Sequence, residues 1–154
     1  MNAIDIARYI VQKNADIDKP ITNLKLQKIL YYVQGYSFRQ LEEAAFSDPI
    51  YRWPYGPVVP SVYFSYNANR ANEIYDMDDA SAEPIRVIRA FDGLKALIDS
   101  VDEACRDKSS TQLVSMTHQE RPWAETSDSK EIKESLIRTY FERHDPLKLC
   151  LAEN

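Results

Sequence analysis

Thr22-Asn23-Leu24-Lys25-Leu26-Gln27-Lys28-Ile29-Leu30-Tyr31-Tyr32-Val33-Gln34-Gly35-Tyr36 is the stretch that decides the fold class. Leu26, Ile29, Leu30, Val33 and Tyr36 recur at the spacing of one helical face, and Thr22 can cap the start. The pattern predicts a helix running to about Leu41. On the same spacing Tyr36 joins the apolar stripe, whereas Tyr31 projects away from it beside Gln27, Lys28 and Gln34. That second side is open to two uses, packing between helices or a functional surface.

Upstream, Ile4, Ala7, Ile10 and Val11 predict a short helix over residues 3–13, with Asn2 or Asp5 as its cap and a turn at Asp16, Asp18 and Pro20. Downstream, Pro49, Pro54, Gly56, Pro57 and Pro60 break helices while Ile50, Tyr51, Arg52 and Trp53 favour extended chain. A short strand or hairpin around residues 48–53 follows, then a tight turn and a helix opened by Pro60. After an acidic loop from Asp76 to Glu83, Pro84 opens a stretch with Ile88, Phe91, Leu94, Ile98, Val101 and Cys105 on one stripe. Ser109 with Gln112, and Asp128 with Glu131, have capping-box spacing ahead of two more helices. The fold class is mainly α (α+β), one compact helical domain over residues 1–145 with a weak tail at 146–154.

Several function classes lose ground on composition. The net charge of -5 disfavours sequence-independent nucleic-acid binding, which needs clustered Lys and Arg. Residues 1–75 carry eight basic and seven acidic side chains, and residues 76–154 eleven and seventeen, so any surface for an acidic partner belongs to the first half. No apolar run approaches the roughly 20 residues that span a bilayer, and the start carries no secretory pattern, so a cytoplasmic location is expected. Cys105 and Cys150 stand apart, and with two histidines zinc has too few ligands; no metal or cofactor is expected. The acidic loop lacks the glycine and closing glutamate of a calcium-binding loop.

Two constellations remain. Trp53-Pro54-Tyr55-Gly56-Pro57-Val58-Val59-Pro60 is rigid and apolar, suited either to a preorganised contact or to a corner docking the β element on the helices. His118, with Glu120, Pro122 and Trp123 close behind, permits an acid–base pair on paper. A histidine at a helix end more often meets the last carbonyls, and no nucleophile motif or phosphate loop accompanies it. Capping and packing are expected for His118 and docking for Trp123.

These blocks carry a family resemblance. Residues 21–36 are similar to the opening signature of the Panacea domain, which includes SocA-type antitoxins and phage-associated GepA-like proteins. Trp53 to Tyr63 resembles that family's W-x-Y-G-P-V turn and following helix, and Thr117-His118 with Pro122-Trp123 resembles its late element. The turn at Leu41 to Phe46 and the Glu120-Arg121 pair depart from it by lacking glycine. The resemblance implies a non-enzymatic antitoxin that binds a cognate toxin protein directly. Its alternative is an adaptor delivering a bound protein to an AAA+ protease such as ClpXP. The expected partner-binding residues are Lys25, Gln27, Lys28, Tyr31, Tyr32 and Gln34 on the second helix, then Trp53, Tyr55, Gly56, Pro57, Val58, Val59 and Tyr63. His118, Pro122 and Trp123 are structural or a second contact, and self-association stays open.

Overall fold

The second helix forms where its spacing places it, and everything else is arranged around it. The computed structural model describes residues 1–75, 88 and 92–150. In chain order these form α1 (Ala3–Asp16), α2 (Asn23–Gln40), β1 (Tyr51–Trp53), β2 (Gly56–Val58), α3 (Pro60–Ser65), a 3-10 turn (Asn67–Asn69), α4 (Asp92–Arg106), α5 (Ser110–His118), α6 (Arg121–Ala124) and α7 (Glu134–Arg143). The chain is mainly α with one small antiparallel hairpin. The acidic loop, Pro84 and Phe91 lie outside the described residues.

Thr22 caps α2 through a bond from Lys25 N at 3.2 Å, and the helix then runs buried from Leu26 to Phe38. It touches α1, α3, α4, α5, α7 and β2, so no side of it is left to water. Phe141 of α7 closes the core over Gly35, with ring centroids 5.6, 6.1 and 5.2 Å from Tyr31, Tyr32 and Tyr36. A Cβ at Gly35 would stand 2.3 Å from that phenyl ring, so only glycine admits the approach.

Asn2 makes no side-chain cap to α1; Asp48 does the work instead, accepting from Ala3 N at 2.8 Å and from Ser61 Oγ at 2.7 Å. The starts of α1 and α3 are thereby tied to one carboxylate. α1 is also held to α4 by Tyr9 and Lys13 on Asp99, at 2.6 and 2.8 Å, and by Asn14 on Asp102 at 2.8 Å. The expected box at Ser109 and Gln112 is present in both directions, at 3.1 and 2.7 Å. Ser109→Ala should lower stability by about 1 kcal/mol, read as a shift in the urea midpoint.

Two expectations need correction. The spacing of Asp128 and Glu131 does not start a helix, because α7 begins at Glu134 and residues 129–132 instead pair with the outer edge of β1. Arg52 N donates to Lys130 O at 2.9 Å, Ser129 N to Arg52 O at 3.0 Å and Ile132 N to Ile50 O at 2.7 Å. Residues 146–150 are not a weak tail either. Tyr36 donates to Asp145 and accepts from Leu147 N at 2.9 Å, while Leu147 and Cys150 are buried.

Candidate functional site

The three sequence blocks meet at one place, where the polar side of α2 lies under the hairpin, α3 and the α5–α6 corner. Helix and hairpin leave backbone groups unpaired where they change direction, and such groups need partners once water is excluded. α2 supplies them. Asn23 Nδ2 donates to Tyr63 O at 3.0 Å, Gln27 Oε1 accepts from Val59 N at 2.9 Å, and Lys28 Nζ donates to Pro57 O at 2.9 Å. Gln27 Nε2 completes the row on Asn23 Oδ1 at 2.8 Å. About two turns further on, Gln34 accepts from Ala45 N and Phe46 N and donates to Phe46 O, closing the loop that follows α2.

Gln27, Lys28, Tyr31, Tyr32 and Gln34 were expected on a solvent-facing partner surface, and the structure buries all five. Their polarity serves neighbouring backbone and Glu120. Lys25 alone of that set is half-buried, with Nζ on Arg106 O at 3.1 Å.

Glu120 sits at the centre of the same region, buried, with Tyr31 Oη on one oxygen at 2.9 Å and Tyr32 Oη on the other at 2.6 Å. Burial raises its carboxyl to about 7, against the pull of the two hydroxyls. Burial likewise lowers the Lys28 amine to about 7. Both tyrosines are pushed upward, first by burial and then by the charge of Glu120, so they remain donors. Gly56 has φ 109° and packs so closely on α2 that a Cβ there would fall 2.6 Å from Lys28 Cε and 2.9 Å from Thr117 Oγ1. In the sequence Glu120 reads only as a departure from the family pattern and as a carboxylate near His118. Its buried role depends on two tyrosines almost ninety positions earlier, which no local pattern displays.

In the late element His118 packs in a stack, with neither a capping bond nor a pairing to Glu120 among the described residues. The His118 ring lies 3.9 Å from Trp123 at 17°, and the Arg52 guanidinium lies 3.8 Å over the same indole, which places it on the opposite face. Trp123 donates from Nε1 to Trp53 O at 2.9 Å, and Pro122 is buried beside it. His118 Nε2 has no hydrogen-bond partner among the described residues. The oxygens of Glu120 are occupied by the two tyrosines.

Of the turn residues, Gly56, Pro57, Val58 and Val59 face inward. Trp53 and Tyr63 are half-buried and meet edge to face at 5.0 Å. Phe64, 63% exposed, extends this pair into an outward aromatic ledge, at 5.5 Å from Tyr63 and 6.0 Å from Trp53, and Tyr55, 69% exposed, stands in the turn between β1 and β2. Phe64 escaped notice from sequence because an aromatic beside Tyr63 on a short helix reads as core. Beside the ledge runs a groove of about 470 Å³ lined by Pro49, Tyr51, Trp53, Pro60, Ser61 and Ser129. No group of metal ligands and no helix long and apolar enough to cross a membrane occurs among the described residues.

A curated relative, Antitoxin SocA of Caulobacter vibrioides (strain NA1000 / CB15N), is 35% identical over 69 residues, 45% of this chain and 37% of that protein. The chain therefore aligns to little more than a third of that relative's length. No solved structure matches. Residues 26–124, which contain α2 from Leu26, the hairpin and the His118–Trp123 stack, match the family described as antitoxin SocA-like, Panacea domain. The chain belongs to the SocA-like Panacea-domain antitoxin family.

Proposed function

We propose that this chain is a type II antitoxin that neutralises a cognate protein toxin by direct contact, with the aromatic ledge at the centre of the interface. The carrying observation is the exposure of Tyr55 and Phe64, at 69% and 63%, on a frame whose underside is fixed by buried bonds from Asn23, Gln27 and Lys28. Exposed tyrosine, tryptophan and phenylalanine on a preorganised support have little entropy to lose on binding, and such anchors dominate interface energetics. The contact keeps Trp53, Tyr55 and Tyr63, adds Phe64, and leaves the buried residues of α2 as its support. A standard interface covers about 800 Å² per partner, so the ledge is its centre and not its whole extent.

Co-expression with the product of the adjacent gene is the direct test. Wild type should rescue growth and co-purify with that product. The double variant Tyr55→Ala, Phe64→Ser should lose rescue while keeping its melting temperature within about 2 °C, because both side chains face solvent. Retained rescue by the double variant, or an adjacent product that is harmless alone, would overturn the reading. An unchanged toxin half-life during rescue separates neutralisation by contact from delivery to a protease.

A further inference from the structure

The groove beside the ledge has a chemistry of its own. Residues 53–69 contain no charged side chain in a chain that is 28% charged. The six groove residues are likewise uncharged: two prolines, two aromatics and two serines. Of the charged neighbours, Arg52 is folded away on Trp123, Thr126 O and Asp128, and Asp48 has one oxygen on Ala3 N and the other on Ser61 Oγ. An uncharged ligand suits this lining, since a carboxylate or phosphate would be desolvated against uncharged side chains and beside the Asp48 carboxylate.

Its polar atoms point the same way. Trp123 donates its indole N–H to Trp53 O, but Trp53 Nε1 and the hydroxyl of Tyr51 meet no acceptor among the described residues. A site of flat apolar rings edged by donors suits a chain that presents carbonyls and has no donors of its own to satisfy. Polyproline II segments are such chains: their backbone is free of internal hydrogen bonds, proline lacks the N–H, and the extended form is already ordered before binding. Grooves lined by aromatic rings recognise them by stacking on the pyrrolidine faces and donating to the carbonyls between. A volume of 470 Å³ accommodates a few residues of such a segment.

We infer that the Tyr51–Trp53–Pro60 groove binds an extended, uncharged, proline-containing segment of the partner protein, with the Trp53 indole N–H donating to a carbonyl of that segment. The partner being a toxin rests on the function proposed above; the peptide chemistry of the groove does not.

Titration of the full chain with an acetylated, amidated deca-proline peptide, followed by NMR, tests the groove by itself. The expected result is saturable movement of the Trp53 indole resonance, with the Trp123 indole unmoved, at a Kd of roughly 10 μM to 1 mM. Trp53→Phe keeps a ring and removes the donor; it should weaken binding about tenfold with the amide spectrum of the fold unchanged. Absence of saturable change, or equal affinity of Trp53→Phe, would overturn the inference even where a toxin complex forms. A harmless adjacent gene product would sink the antitoxin reading while leaving peptide binding intact. In a complex, a photo-crosslinker in place of Tyr55 should capture a proline-containing segment of the partner, and capture of a charged helix face would count against the groove.

Discussion

Gly35→Ala should lose about 3–5 kcal/mol of stability, the range usual for removing a phenylalanine from a core, because the new methyl group and the Phe141 ring cannot occupy the same space. The Cβ would stand 2.3 Å from Phe141 Cδ2, and that ring is fully buried against Tyr31, Tyr32 and Tyr36. Phe141 cannot swing outward without opening the centre of the molecule. Urea denaturation checks this, and Phe141→Leu in the Gly35→Ala background should recover part of the loss, since contacting sites are non-additive. A Gly35→Ala protein as stable as the parent would show that α7 is not seated on α2 as described. Gly93→Ala is the control: its Cβ meets Leu41 at an ordinary 3.4 Å, so helix propensity should raise stability by up to about 1 kcal/mol.

The second large effect is a stability minimum near pH 7. Glu120 has an ordinary value of 4.5 and a folded value of about 7. Between those values the folded state holds a proton that the unfolded state releases, so stability falls as pH rises, and the loss is complete above about 7. Lys28 moves the other way, from 10.5 to about 7. Above pH 7 the unfolded chain holds the proton that the folded amine has given up, so stability climbs toward 10.5. Cys105, raised by burial from 9.0 to about 12, opposes that climb only beyond its ordinary value. Over pH 5 to 7 and pH 7 to 9 each limb amounts to about 2 kcal/mol, at 1.36 kcal/mol per unit. Urea midpoints at the three pH values measure both limbs. Glu120→Gln should flatten the acid side and Lys28→Met the alkaline side; a profile that rises steadily from pH 5 to 9 in the parent would contradict the buried state of Glu120.

These expectations turn on residues whose place was only partly legible in sequence. The apolar stripe of α2 was legible because helical spacing is local, and so were the box at Ser109 and the hairpin near Trp53. Burial of the opposite side of α2 was not. Glutamine and lysine at Gln27, Lys28 and Gln34 look solvent-facing until Val59 N, Pro57 O and the Phe46 backbone are brought against them. A substitution such as Lys28→Glu, natural for a surface, would here place an unpaired carboxylate in the interior. Local spacing also misled at Asp128 and Glu131, where pairing to β1 outcompetes a helix start. The ledge was half legible: Trp53, Tyr55 and Tyr63 drew notice through the rigid turn, whereas Phe64 became visible only beside them.

The hairpin has no open edge. One side is taken by residues 129–132, and the other by Gln27 and Lys28 of α2. A partner cannot extend it by adding a strand, so whatever binds must be chosen by side chains rather than by backbone. Because Tyr55 and Phe64 stand outside the core, exchanging them leaves the interior untouched. Under the function proposed above, the fold can therefore acquire a new partner one exposed residue at a time, changing what it recognises without passing through an unfolded ancestor.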